Sequence, residues 1–165
     1  MCIVNCKSLI VNCALTLFAL TGYAQGYRLQ KVNDTLYYVN EWQLPYPVYQ
    51  FQTGDVDGDG SEDAVVGVIK STRFYPEKAR RVFIFKQVNG KVRPLWMGSR
   101  LGGILQDFKL SGNSIVSLET NGKGRYAVAV YGWEKFGMEF QRFIVKDTDS
   151  ITASKAYAEV QPPCQ

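Results

Sequence analysis

Short runs of apolar or alternating residues follow one another along most of this chain, and turn residues separate them. Such runs, rich in Val, Ile, Phe and Tyr, are typical of strands rather than helices. We predict strands over residues 27–32, 35–40, 48–52, 63–69, 81–87, 91–96, 104–110, 114–119, 126–133 and 139–145. The clearest hairpin has Asn89-Gly90 at its turn, because both residues tolerate positive φ. The pattern predicts an all-β, antiparallel fold of two blade-like or sandwich-packed sheets. A short C-terminal helix is predicted at 150–160, with Ser150 as its candidate cap.

The first 24 residues have the features of a secretory signal peptide. An apolar stretch runs from Leu9 to Leu20, and small residues precede a cleavage point after Ala24. The stretch is too short to span a bilayer comfortably, which disfavours the alternative of an N-terminal membrane anchor. We therefore expect an exported protein, periplasmic or extracellular, with an all-β domain at 25–146 and a tail at 147–165.

Composition excludes several kinds of chemistry. The chain has no histidine, which removes Ser-His and Cys-His nucleophile pairs and the common catalytic zinc sites. Carboxylate, lysine or tyrosine chemistry stays open, but we do not expect an enzyme. Cleavage would remove Cys2, Cys6 and Cys13 and leave only Cys164, so no intrachain disulfide can form. Loss of Lys7 lowers the net charge from +4 to about +3, a modest excess that requires no nucleic-acid partner.

An acidic loop at residues 55–63 is the strongest functional motif in the sequence. Its four aspartates are closely spaced, with Gly58 and Gly60 among them, and Gly60 permits a sharp turn. Oxygen ligands at this density suit a hard divalent cation such as Ca²⁺. The sequence places no lysine beside these acids, so we expect an ion to offset their mutual repulsion. The predicted Ca²⁺ ligands are Asp55, Asp57, Asp59, the carbonyl of Ser61 and Asp63.

Two other interpretations of this loop fit the sequence less well. A helix-loop-helix calcium site would need glutamate at its twelfth position, where this chain has Val66, and its flanks would be helical. A solvated acidic turn is the simpler alternative, but such turns rarely combine this spacing with both glycines. The sequence therefore favours a metal loop at the start of a strand.

Residues 51–85, which contain the DVDGDGSED segment, resemble an FG-GAP repeat of the integrin/VCBS type. In that family the repeat is one blade of a β-propeller, and its aspartates bind Ca²⁺ between two blade strands. The resemblance implies that Asp55, Asp57, Asp59 and Asp63 are ligands. A propeller needs several repeats, and this chain has room for about two, so we do not expect a closed propeller from one chain.

A second, degenerate repeat is predicted 64 residues later, where residues 119–124 precede the strand-like run 127–131. The alternative is chance similarity between two hairpin units. Lys123 occupies the place of Asp59, and we expect its ammonium to replace the cation beside Glu119 and Asn121. This predicts one Ca²⁺ per chain.

Two further segments have both a functional and a structural interpretation. The basic segment 70–93 would suit an acidic partner or would be a solvated hairpin face, and the aromatic run 37–51 would stack on sugar rings or fill the core. We favour the structural interpretation of each.

The function predicted is a Ca²⁺-binding β module with a binding or scaffolding role, toward a protein or glycan partner. The alternatives are an envelope enzyme or inhibitor acting on glycan and a structural partner in a β-assembly. The oligomeric state stays open.

Overall fold

A computed structural model describes residues 26–98 and 100–161. The predicted signal peptide and Cys164 lie outside these residues. The chain order of the elements is β1 (Leu29–Asn33), β2 (Leu36–Val39), β3 (Trp42–Leu44), β4 (Val48–Gly54), β5 (Asp63–Lys70), β6 (Ala79–Val88), β7 (Lys91–Met97), β8 (Ile104–Ser111), β9 (Ser114–Thr120), β10 (Tyr126–Glu134), β11 (Gly137–Thr148) and α1 (Ser150–Glu159).

The strands form three antiparallel sheets in which each strand pairs with its neighbour in the chain. Sheet A contains β1 to β3, sheet B contains β4 to β7, and sheet C contains β8 to β11. The predicted all-β class and the short C-terminal helix are confirmed. Sheet A was not predicted as a separate sheet, because β3 has only three residues and ends next to Pro45. The hairpin at Asn89-Gly90 has both residues at positive φ, as predicted.

Sheet B lies between sheets A and C, so its strand β5 is buried on both faces. Successive side chains of a strand point to opposite faces, so a strand covered on both sides has a continuous apolar run. Ala64, Val66 and Val68 pack in the cluster shared with sheet A. Val65 packs in the cluster shared with sheet C. The run AVVGV in the sequence therefore specifies a three-layer arrangement.

Helix α1 covers the other face of sheet C. Its residue Ala153 is fully buried against Val116, Val128 and Val130 of that sheet. The Lys109 ammonium donates to the carbonyl of Val160 at 2.6 Å, which holds the end of the helix against β8. With ten residues, α1 is far from bilayer length, and no helix within 26–98 and 100–161 is long and apolar enough to cross a membrane.

Asp149, not Ser150, caps this helix. Its carboxylate accepts hydrogen bonds from the backbone N–H groups of Ile151 and Thr152 at 2.9 and 3.0 Å and from the Thr152 hydroxyl at 2.8 Å. The prediction of Ser150 was wrong by one position because two adjacent residues both favour caps. These contacts, led by the Thr152 N–H, lower the pKa of Asp149 to about 2.

We expect Asp149→Ala to lower the melting temperature by a few degrees, because the first turn of α1 loses its acceptor. Glu159→Ala, an exposed change on the same helix, is the matched control and should have little effect. The pKa of Asp149 is depressed, so its stabilisation is present above pH 4 and is lost as the pH falls towards 2. Thermal denaturation followed by circular dichroism at several pH values measures this, and equal losses in both variants would contradict the cap.

Candidate metal centre

The acidic loop joins β4 to β5 and bends through two left-handed glycines. Gly58 and Gly60 have φ values of 76° and 83°, a region that side chains with a Cβ rarely adopt. Val56 anchors the loop, since its side chain is buried in the core between sheets B and C. The sequence therefore fixes the loop by one apolar anchor and two glycine turns.

Asp55 organises the backbone of this loop. One of its carboxylate oxygens accepts from the N–H groups of Gly58 at 2.7 Å and Asp59 at 3.2 Å. The other oxygen accepts from the N–H of Gly60 at 2.9 Å. Asp59 in turn accepts from the N–H of Ser61 at 2.9 Å. The loop is thus closed around its acids by its own backbone donors.

Asp63 is the most unusual of the acids because it is fully buried, with 0% of its surface exposed. One oxygen accepts from the N–H of Val56 at 3.0 Å, and the other, Oδ1, has no hydrogen-bond partner among the described residues. Burial, followed by the charge of Asp57, raises the pKa of Asp63 to about 6. A buried oxygen without a partner is costly, so this position favours a cation or a donor that reaches it.

Three of the predicted ligands meet at one point. Asp55, Asp57 and Asp63 each offer a carboxylate oxygen, and the three oxygens lie within 4.8 Å of one another. Asp59 is outside this triad and more exposed. Ser61 contributes an N–H bond to Asp59, while its carbonyl stays a predicted ligand. Asp55, Asp57 and Asp63 could therefore hold a hard cation together.

Lys86 contributes the feature that the sequence analysis missed. Its ammonium lies 2.5 Å from Asp57 Oδ2 and also pairs with Asp59. The expectation that no lysine neutralises the loop is therefore wrong. Strand pairing places Ala64 opposite Phe85, so the next residue of β6 lies beside Asp63 although it is distant in the sequence. Only the register of the β5–β6 hairpin would have revealed this neighbour.

The ion pairs are strong enough to dominate the titration of Lys86. Burial opposes its charge, but hydrogen bonds to Asp57 and Asp59 outweigh that effect and raise the pKa of Lys86 above its usual value. The same contact lowers the pKa of Asp59. At neutral pH the ammonium is thus charged and neutralises part of the loop, as a bound cation would.

The loop of the proposed second repeat, residues 119–124, differs from the first loop in the contacts of its lysine. Asn121 Oδ1 accepts from the N–H groups of Lys123 at 2.7 Å and Arg125 at 3.2 Å, which closes a similar turn. However, the Lys123 ammonium forms no ion pair within the described part of the chain, and Glu119 bonds to Ser117 instead. The expected Lys123 contact with Glu119 is therefore wrong.

The two loops also occupy different places in their sheets. The first joins β4 to β5 at the edge of sheet B, whereas the second joins the two central strands of sheet C, β9 and β10. The 64-residue offset thus does not map equivalent strands onto each other. Both loops nevertheless use a side-chain oxygen to close the turn.

The aromatic run has a structural role in packing. Tyr37 lies in the core between sheets A and B. Tyr46 meets Phe83 edge to face, with ring centroids 6.0 Å apart, and Tyr49 meets Phe108 at 6.2 Å by the same measure.

Part of the basic segment also has structural contacts. Lys70 lies 4.5 Å from the centroid of the Tyr46 ring, Arg80 lies 4.8 Å from that of Tyr49, and Arg81 is buried. These contacts support the structural interpretation of both segments.

Comparison of the chain with protein-family models, with curated proteins and with solved structures found no match. The chemistry of the loop is therefore inferred from its own residues. The loop supplies three converging carboxylates, one of which has a buried oxygen without a hydrogen-bond partner among the described residues. Lys86 of β6 adds an ammonium that contacts Asp57 and Asp59.

Proposed function

We propose that this chain is an exported β module that binds one Ca²⁺ in the loop at 55–63 and has a binding or scaffolding role. The observation that carries the proposal is the buried Oδ1 of Asp63, which has no hydrogen-bond partner in residues 26–98 and 100–161 and lies beside the carboxylates of Asp55 and Asp57. An all-oxygen set of this kind suits Ca²⁺, which tolerates irregular geometry. The likeness of the loop to an FG-GAP repeat supports the same ion.

A cation in this loop would act mainly on stability. It would give the buried Oδ1 of Asp63 a partner and would reduce repulsion within the triad. Because Val56 ties the loop to the core between sheets B and C, order in the loop would also support the packing of those sheets. Binding only to the folded state raises its stability by mass action.

Lys86 would oppose this binding. Its ammonium contacts Asp57, a member of the triad, so a divalent ion meets both a positive charge and a partly occupied ligand. The ion would have to displace the ammonium from Asp57 before that carboxylate could bind it fully. The affinity of the loop should therefore be lower than that of the same acids without lysine.

We expect added Ca²⁺ to raise the melting temperature of the wild-type protein by several degrees at saturation. Asp63→Asn should abolish this rise, because the amide keeps the shape of the side chain but loses its charge. Glu62→Gln is the control, since Glu62 is exposed and bonds to the Thr53 hydroxyl at 2.7 Å outside the triad. Differential scanning calorimetry with and without a chelator measures this. The same Ca²⁺ response in wild type and Asp63→Asn would refute the site.

We expect Lys86→Gln to bind Ca²⁺ roughly tenfold more tightly than the wild type, because the competing charge is gone. In a chelator the same variant should be less stable, since Asp57 and Asp59 lose their counter-charge. Lys91→Gln, an exposed change on the neighbouring strand, controls for net charge. Isothermal titration calorimetry gives both affinities. Equal or weaker binding by Lys86→Gln would argue against competition at the loop.

A further inference from the structure

A cleft of about 900 Å³ opens on the face of sheet C that points toward sheet B. Among the described residues, sheet B contacts sheet C mainly through β8, and Phe140 and Phe143 of β11 stay partly exposed. Tyr131 belongs to the core between the two sheets and also lines the cleft. The cleft is thus a continuation of the B–C core into solvent, of a size typical of small-molecule sites.

We propose that this cleft binds an anionic amphiphile, meaning an apolar chain or ring that carries one acidic group. The proposal concerns a site separate from the metal loop and does not depend on Ca²⁺. Three features of the cleft lead to it: a polar floor whose groups already have partners, an apolar wall on β11, and a basic rim.

The floor of the cleft contains a buried carboxylate. Glu119 is 4% exposed, and its two oxygens accept from the Ser117 hydroxyl at 2.6 Å and from the N–H of Gly103. Tyr131 accepts from the N–H of Gly102 at 2.8 Å. A Cβ at Gly103 would lie 2.7 Å from Glu119 Oε2, so this approach requires glycine. Because these groups bond to one another, the floor needs no polar atom from a ligand.

The wall is formed by two phenylalanines that an ordinary strand would separate. Positions 140 and 143 differ by an odd number, so a regular strand points them to opposite faces. Tyr131 of β10 lies opposite Phe140, but the preceding Val130 lies opposite Arg142. The register therefore shifts by one residue, and Gln141 has no partner residue on β10. As a result both rings meet, with centroids 4.7 Å apart, and stay 49% and 40% exposed. Bulges that redirect side chains in this way are common beside binding sites.

The rim of the cleft carries three basic side chains, and two of them form no ion pair among the described residues. Arg125 is paired with Asp147 at 2.8 Å, which neutralises both. Arg100 and Lys146 are exposed and form no ion pair within the described residues. Lys146 lies 5.2 Å from the Phe143 ring centroid, so the charge borders the apolar wall.

Together these charges define the orientation of a ligand. The Glu119 carboxylate repels an acidic group from the floor, while Arg100 and Lys146 attract it to the rim. The apolar body then lies along Phe140 and Phe143, whose exposed surface would be removed from water. A neutral glycan fits less well, because the polar groups of the floor already have partners.

The test compares three probes that share one chain and differ in charge: dodecanoate and dodecyltrimethylammonium, each below its micellar concentration, and dodecanol below its solubility limit. We expect dodecanoate to bind once per chain, dodecanol roughly tenfold more weakly, and the cation not measurably. Naphthalene-2-carboxylate distinguishes a ring from a chain as the apolar body. Titration calorimetry in chelator separates this binding from any effect of Ca²⁺, so each proposal can fail alone.

Two pairs of variants locate the site. Phe140→Ala should weaken dodecanoate binding about tenfold or more through lost apolar burial, whereas Phe136→Ala should not, since Phe136 is 91% exposed and outside the cleft. Lys146→Glu should weaken it to a similar extent, whereas Lys155→Glu, on α1, should not. Circular dichroism melting confirms that each variant is folded.

Several results would overturn the proposal. They are equal affinity for the three charge types, full affinity in folded Phe140→Ala, and no binding of either acidic probe. A concentration-dependent dimer that Phe140→Ala abolishes would also overturn it, because a second copy of the chain would then occupy the cleft.

Discussion

The charge of one buried carboxylate constrains much of this structure. Asp63 begins the central strand β5, in the layer that both other sheets cover, and it has no contact with solvent. A charge there must be compensated locally, because water cannot do so. Val56 supplies one N–H, and Lys86 supplies a nearby positive charge through its contacts with the outer acids. The loop backbone thus supplies a hydrogen bond to Asp63, and the β5–β6 register places the charge of Lys86 near it.

The two proposed sites use the same core in different ways. Val56 at the metal loop and Tyr131 at the cleft belong to one apolar cluster between sheets B and C. At the first site the core holds a polar loop in place, and at the second it opens and leaves aromatic rings exposed. One layer of packing would thus support both proposed sites, the metal loop and the cleft.

Much of the fold could be predicted from the sequence, because period and turn chemistry are local properties. The run Ala64–Val68 and the turn at Asn89-Gly90 each specify their structure through neighbouring residues. Sheet A was harder to recognise, since β3 is only three residues long. The helix cap is Asp149 and not the predicted Ser150, because both residues have oxygens that can accept from the first turn.

The sites were less predictable, because they depend on register. The sequence indicated the loop aspartates, which are close in the chain, but it did not show that three of them converge or that strand pairing brings Lys86 to the loop. The bulge at Gln141 likewise cannot be read from alternation, although it places Phe140 and Phe143 on one face. Contacts between distant residues follow from how strands align, and a shift of one residue reverses every side chain.

The most direct measurement is a crystal structure of the protein grown with Ca²⁺, with anomalous scattering used to locate the ion. We expect one ion in contact with Asp55, Asp57 and Asp63, and the Lys86 ammonium moved away from Asp57. A structure at saturating Ca²⁺ in which the ammonium still contacts Asp57 and no ion lies within the triad would contradict it.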